Sequence, residues 1–227
     1  MAVLMLLVVV AGFAPTTFLR PLLEPGERAP YEKVLVVHGA LSAAWMVLFI
    51  VQPLLIQTGK ITQHRRLGTI GAGVASLVVI IGFWATLVAA GRPEGAALPA
   101  MGLRGVGMFG ANLLMFGALV LLAIAFRHNG PFHKRLMFLG TVNMLQAPIV
   151  RITDMMSFAV ITGPIKAHLL AYAFILPLVV WDVITLRRIH PATLWAGIAI
   201  VLSLLVRYLI VDTEAYRHIA QWLVDVA

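Results

Sequence analysis

Long apolar stretches alternate with short polar segments along the whole chain. The segments between them carry clustered glycine, proline and charged residues, which punctuate helices. A helix needs about 20 apolar residues to cross a hydrocarbon core of about 30 Å. The pattern predicts seven spans, near residues 2–19, 34–57, 68–90, 103–126, 135–159, 165–186 and 192–211. The following segment, 213–226, is predicted to form a short amphipathic helix at the membrane interface.

The composition places most of this chain in lipid. Of its 227 residues, 61% are apolar and 11% are charged, and the mean hydropathy is +0.98. Soluble domains are nearer a quarter charged. We therefore predict an all-α integral membrane bundle in which residues 1–227 form a single transmembrane domain. Cysteine is absent, which excludes disulfides, thiolate metal sites and cysteine nucleophiles.

Basic residues mark one side of the membrane. The loops after spans two, four and six carry arginine and lysine and no acidic residue: Lys60, Arg65, Arg66; Arg127, Lys134, Arg135; Arg187, Arg188. By the positive-inside rule these loops are cytoplasmic, so the N-terminus is inside and the C-terminus outside. The net charge of +8 follows from this topology and does not require a nucleic-acid partner. We expect a multi-pass protein of a bacterial inner membrane, in contact with the lipid bilayer.

Four histidine-containing stretches carry a resemblance that covers nearly the whole chain. They are His38-Gly39-Ala40, His64-Arg65-Arg66-Leu67, His133-Lys134-Arg135-Leu136 and Arg188-Ile189-His190-Pro191. Together they resemble a widespread group of bacterial polytopic inner-membrane proteins, which implies a fold of about seven spans and no particular activity. The placement of the histidines is also distantly similar to that of transmembrane b-type cytochromes. That similarity implies haem held by histidines on different helices.

Polar side chains within the spans are candidates for a functional site, because such residues are costly in lipid. Span two carries one stripe at 100° per residue, and span six carries another, with His38 and His168 each about one turn inside the outer end. The stripes are His38, Ser42, Trp45 and Gln52, and His168, Tyr172 and Asp182. Span five adds Arg151 and Asp154, spaced for a same-helix ion pair. Arg207 of span seven reaches a similar depth.

Three interpretations of these residues remain open. In the first, His38 and His168 are axial ligands of haem b, with Arg151 and Arg207 holding anionic groups and Tyr172 beside them. In the second, His38, His168 and Asp154 bind a metal ion, or the histidines bind a quinone head group. In the third, these residues only fix helix packing.

The whole chain also admits different functional classes. The leading hypothesis is a membrane redox or cofactor-binding protein with an outer-leaflet site between spans two, five and six. The alternative is a non-catalytic accessory or assembly subunit of a larger membrane complex. A transporter is third, because the hairpins of spans two–three, four–five and six–seven repeat in parallel rather than as an inverted repeat.

The histidine-plus-basic clusters have two interpretations of their own. Each cluster opens a span, at His64, His133 and His190. They could anchor the helices to anionic headgroups. Alternatively, His64 and His133 together bind a ligand at the cytoplasmic face.

Overall fold

The computed structural model describes residues 1–14, 19, 32–92, 102–155 and 164–227, with only the backbone described at 154–155 and 164–167. These ranges are helical and contain no strand, which confirms the all-α prediction for them. The helices are α1 (Ala2–Phe13), α2 (Lys33–Gln57), α3 (Ile61–Ala90), α4 (Gly102–Ala125), α5 (Gly130–Met144), α6 (Gln146–Met155), α7 (Pro164–Tyr172), α8 (Leu176–Leu186), α9 (Pro191–Ile210) and α10 (Glu214–Asp225).

Six helical stretches in the described ranges are long and apolar enough to cross a membrane. They correspond to predicted spans two to seven, with α5–α6 and α7–α8 each acting as one interrupted span. Helix α1 is apolar but has 12 residues, and most of the remainder of the predicted first span lies outside the described residues. Helix α3 begins at Ile61, seven residues before the predicted start, so His64, Arg65 and Arg66 lie in its first turns.

Two predicted spans are broken just before a proline. Span five is interrupted at Leu145, so that Pro148 falls in the first turn of α6. Span six passes through a 3-10 turn, Ala173–Ile175, and Pro177 lies in the first turn of α8. Proline lacks an N–H and is tolerated where a helix begins, because the first N–H groups have no partner there. Pro53, in contrast, lies inside α2 without interrupting it.

Two compact units divide the chain. Unit 1 comprises Met1–Glu27 and Ala118–Val201, and unit 2 comprises Arg28–Gly117 and Leu202–Ala227. In unit 1, α1 packs against α6, and α7 packs against α5 and α6. The contact between α1 and α6 is close at Gly12, where an added Cβ would lie 2.5 Å from the Pro148 carbonyl oxygen. The predicted single transmembrane domain stays a prediction.

Unit 2 is built around the hairpin of α2 and α3. Trp45 of α2 contacts Phe116 of α4 edge to face, with ring centroids 5.1 Å apart. Helix α4 contains a π-helical turn, Val106–Gly110. Helix α10 packs on α3 and on the first turn of α4, where Leu223 and Val224 cover a core of Leu87, Ala90 and Val106.

Large apolar side chains are exposed on almost every helix. Ile80 is 63% exposed, Leu121 67%, Ile184 66% and Leu209 76%. In water such a surface would aggregate, whereas in hydrocarbon it is fully compatible with a monomeric fold. This surface identifies an integral, multi-pass membrane protein.

Helix α10 separates three kinds of side chain around its axis. At 100° per residue, one face buries Ala220 with Tyr216, Leu223 and Val224 beside it, and the adjacent face exposes Ile219, Trp222 and Val226. The remaining face is polar: Glu214, Arg217, His218, Gln221 and Asp225. This three-way division suits a helix that contacts protein, lipid and water at once.

Replacing Gly12 by alanine tests the packing of α1. The new methyl group would overlap the Pro148 backbone, which cannot move aside as a flexible side chain could. We expect a loss of about 1–3 kcal/mol of unfolding free energy from overpacking. The measurement is the thermal unfolding midpoint of the detergent-purified protein.

Gly73→Ala is the matched control, because nothing lies within 4 Å of the Cβ position there. Alanine is favoured over glycine in a helix by about 0.5–1 kcal/mol, so this variant should be as stable as the wild type or more so. Equal midpoints for the two variants would contradict the close contact at Gly12.

Candidate functional site

The carboxylate of Asp182, on α8, accepts four hydrogen bonds. Its Oδ1 atom accepts from Arg135 Nε at 3.0 Å and from Arg135 Nη2. Its Oδ2 atom accepts from the Thr193 hydroxyl at 2.6 Å and from the His190 backbone N–H at 3.1 Å. Asp182 is fully buried, and the four donors come from α5, from α9 and from the residue before α9. One carboxylate therefore joins three helical segments.

Arg135 is buried with its acid. The side chain is 4% exposed, and its Nη1 atom donates to the Pro131 carbonyl oxygen one turn earlier on α5. Arg135 belongs to one of the basic clusters predicted to anchor helices to headgroups, and for this residue that prediction is wrong. An arginine at the start of a span forms an ion pair with a buried acid that lies within its reach. A buried charge without a partner would destabilise the fold by several kcal/mol.

Each of the three predicted hairpins is closed by a polar contact that involves a histidine near the start of its second helix. In α2–α3, the Gln52 amide accepts from the Gly68 N–H at 2.9 Å and donates to His64 Nδ1, in the amide orientation that satisfies both ends. In α4–α5, His133 Nδ1 lies 2.8 Å from the Ala123 carbonyl oxygen. In α8–α9, His190 joins Asp182 through its backbone.

A second set of buried polar side chains in unit 1 includes no acid, lysine or arginine, and we call it the neutral cluster: Asn143, Gln146, His168 and Tyr172. All four are buried, with exposures from 0% to 6%. Gln146 Nε2 donates to the Tyr172 hydroxyl, which links α6 to α7. His168 and Tyr172 are one turn apart on α7, so they share a face of that helix. Carboxamide, imidazole and phenol groups are thus concentrated between the two predicted spans.

Arg151 and Asp154, the predicted ion pair of span five, both lie in α6. The Arg151 guanidinium carbon lies 4.7 Å from the centroid of the Phe13 ring of α1. This is cation–π geometry, which lets an arginine contact an apolar helix. The side chain of Asp154 lies outside the described part of the structure. The predicted pair therefore stays a prediction.

In unit 2, the ring of His38 lies directly against α3. A Cβ added at Gly82 would lie 2.5 Å from His38 Cε1 and 2.8 Å from Nδ1, so glycine leaves the space that the imidazole occupies. Within the described residues, His38 Nδ1 and the Ser42 hydroxyl are buried without a hydrogen-bond partner. These residues are one turn apart on α2, and both belong to the stripe predicted from the sequence.

Arg207 joins α9 to α4 at the other end of unit 2. Its Nη1 atom donates to the Met108 carbonyl oxygen at 2.6 Å, and its Nε atom donates to the Ser203 carbonyl oxygen at 3.1 Å. Met108 lies in the π-helical turn, where the changed hydrogen-bond register redirects carbonyl groups. Arg104 forms an exposed ion pair with Asp212 at 3.0 Å.

The predicted site residues are therefore divided between the two units. His168, Tyr172 and Arg151 belong to unit 1, whereas His38 and Arg207 belong to unit 2. The pairing of His38 with His168 stays a prediction. Among the described residues, no three His, Asp or Glu side chains form a group that could hold a metal ion.

The Arg135–Asp182 pair was not predicted from the sequence. Asp182 was placed in the polar stripe of span six, and Arg135 was assigned to a loop edge. The pair could have been predicted because a carboxylate within a span is costly in lipid and requires a cationic partner at the same depth. Arg135 begins span five at the end where Asp182 completes span six, so the two depths agree.

No protein-family model, curated protein or solved structure matches this chain. The resemblances stated from the sequence therefore stay hypotheses. The helices define the class: an α-helical, multi-pass integral membrane protein.

Removing either partner of the Arg135–Asp182 pair should destabilise the protein strongly. Asp182→Ala leaves a buried guanidinium without its carboxylate, and Arg135→Met leaves the reverse, each at a cost of about 3–5 kcal/mol. The double variant R135M/D182L restores an apolar contact and should recover most of that loss. Unfolding by denaturing detergent, followed by circular dichroism, measures all three. Additive losses in the double variant would show that the pair is not coupled.

Proposed function

We propose that this protein is a seven-span bacterial inner-membrane protein that binds a lipid-soluble redox ligand of the quinone type. The N-terminus is cytoplasmic and the C-terminus external. The ligand's head group is held by the neutral cluster of unit 1. The burial of Asn143, Gln146, His168 and Tyr172 between two predicted spans is the observation that carries the proposal.

The chemistry of the neutral cluster matches a quinone head group. A quinone presents two carbonyl acceptors on an apolar ring, and carboxamide, imidazole and phenol groups donate hydrogen bonds without introducing a net charge. Ligand sites generally combine apolar walls with a few such polar groups. Tyrosine and histidine can also exchange the protons that accompany quinone reduction.

Haem b remains the second candidate, and His38 supports it. Within the described residues its Nδ1 atom is a buried imidazole nitrogen without a hydrogen-bond partner, and neutral imidazole is the usual haem ligand in membrane helices. The haem interpretation of the sequence, with His38 and His168 as axial ligands and Arg151 and Arg207 at the propionates, stays a prediction, because these residues belong to different units. Haem would supply one-electron transfer. The chain's own contribution would be to orient the imidazoles and to exclude water.

An accessory subunit is favoured by one feature of α2. Its residues Gly39, Ala40, Ala43 and Ala44 are all exposed, although small residues on a membrane helix commonly mark close helix packing. A partner helix of a larger membrane complex could occupy this face. Co-purification of a larger complex without any bound redox ligand would favour this alternative.

The ligand proposal is tested on protein purified in mild detergent from a host that makes both haem and quinone. We expect quinone to be extracted in near-stoichiometric amount, well above that from an unrelated membrane protein. Tyr172→Phe removes one buried hydrogen bond, which is worth about 1 kcal/mol and corresponds to about fivefold weaker retention. Tyr208→Phe in unit 2 is the matched control. A Soret band with no quinone would favour haem instead, and the absence of both would exclude a redox role.

The orientation is tested by fusing a fluorescent protein that matures only in the cytoplasm. Fusion after Ala227 should give no fluorescence, whereas fusion in the loop after α8 should be bright, because the basic loop at Arg187 and Arg188 is predicted to be inside. A bright C-terminal fusion would reverse the proposed topology.

A further inference from the structure

The three hairpin histidines differ in how they use the same ring atom. His64 Nδ1 accepts from the Gln52 amide, and His190 Nδ1 accepts from the Ala192 backbone N–H at 3.1 Å. His133 Nδ1 contacts the Ala123 carbonyl oxygen, which can only accept, so this ring nitrogen must donate. Two of the histidines therefore need an unprotonated Nδ1 atom, and the third needs a protonated one.

Adding a proton to these rings has opposite consequences. A protonated imidazole carries hydrogen on both nitrogens and accepts no hydrogen bond. The contact of His190 at Nδ1 would be lost. The contact of His133 would be kept, because its Nδ1 atom already donates.

We propose that the α8–α9 hairpin is a proton-sensitive latch, released when His190 becomes protonated, whereas the α4–α5 hairpin is insensitive. The released segment is the first turn of α9. This would give the predicted cytoplasmic face a response to internal acidification.

His190 is the residue before α9 and caps that helix. Its ring accepts from the second residue of the helix, which is the geometry of an N-cap. The His190 and Phe132 rings pack in a T-shaped arrangement, with centroids 4.8 Å apart. Protonation would remove the cap and place a positive charge at the positive end of the helix dipole.

The burial of His190 and the charged groups around it determine the pH at which the latch opens. Burial lowers the pKa of His190, and the nearby Arg135, Arg188 and Lys134 lower it further, while Asp182 raises it. Since the pKa is lowered in the folded protein, the neutral cap is present at and above the ordinary histidine range. Its contribution is lost as the pH falls below that range.

The Arg135–Asp182 pair limits how far the α8–α9 latch opens. Asp182 keeps its bonds to Arg135 and Thr193 when the His190 ring changes, because neither bond involves the imidazole. The response is therefore confined to the residues around His190 and Ala192. The hairpin itself stays together.

Amide hydrogen exchange of the full-length protein in lipid nanodiscs, at pH 7.5 and 5.0, tests the proposal. Rates are corrected for the chemical dependence of exchange on pH. We expect protection of the peptide containing Ala192 to fall about fivefold at pH 5.0, the effect of losing one N-cap. The peptide containing Ala123 and Phe126 should show no such change.

Two variants distinguish the loss of the His190 cap from a general unfolding of the protein at pH 5.0. Asparagine is a favourable N-cap whose oxygen accepts at any pH, so His190→Asn should keep Ala192 protected at pH 5.0. His133→Asn is the matched control and should respond to pH as the wild type does. Unchanged protection in the wild type, or an H190N variant that responds like the wild type, would overturn the proposal.

Discussion

The requirement that a carboxylate in hydrocarbon be fully bonded organises unit 1. Asp182 is fully buried and accepts four hydrogen bonds, two from Arg135 and one each from Thr193 and the His190 backbone. Losing a donor would expose a charge to a medium that cannot solvate it. The ends of α5, α8 and α9 are consequently fixed to one point, which determines where the predicted cytoplasmic loops begin.

The Arg135–Asp182 pair and the neutral cluster lie in different parts of unit 1. The ion pair lies where α8 ends and α9 begins, whereas the neutral cluster lies on α5, α6 and α7. A charged group beside a quinone would favour a charged form of the ligand, so uncharged donors suit a head group that is neutral both before and after it takes up two electrons and two protons. The ion pair provides rigidity, and the neutral cluster provides the chemistry proposed for the ligand.

The positions of the helices follow from hydropathy, because lipid imposes a length on every apolar stretch. Spans two, four and seven were predicted to within about two residues. The early start of α3 was not predicted, because His64, Arg65 and Arg66 are polar yet helical. Hydropathy detects the membrane boundary rather than the end of the helix. Spans five and six are interrupted near Pro148 and Pro177, whereas Pro53 leaves α2 uninterrupted. Side-chain partners across helices were not predictable, since periodicity gives a face but not the residue opposite. Arg135 is the clearest case.

The π-helical turn of α4 changes the phase of that helix. A π turn accommodates one residue more than an α-helical turn, so it rotates everything that follows by about 100°. Arg104 and Phe116 therefore face directions that a regular helix between them would not give. Deleting one residue from Val106–Gly110 would remove this rotation and change the direction of the Met108 carbonyl relative to Arg207, which donates to it. The extra residue is thus what lets a buried arginine be accommodated by backbone dipoles.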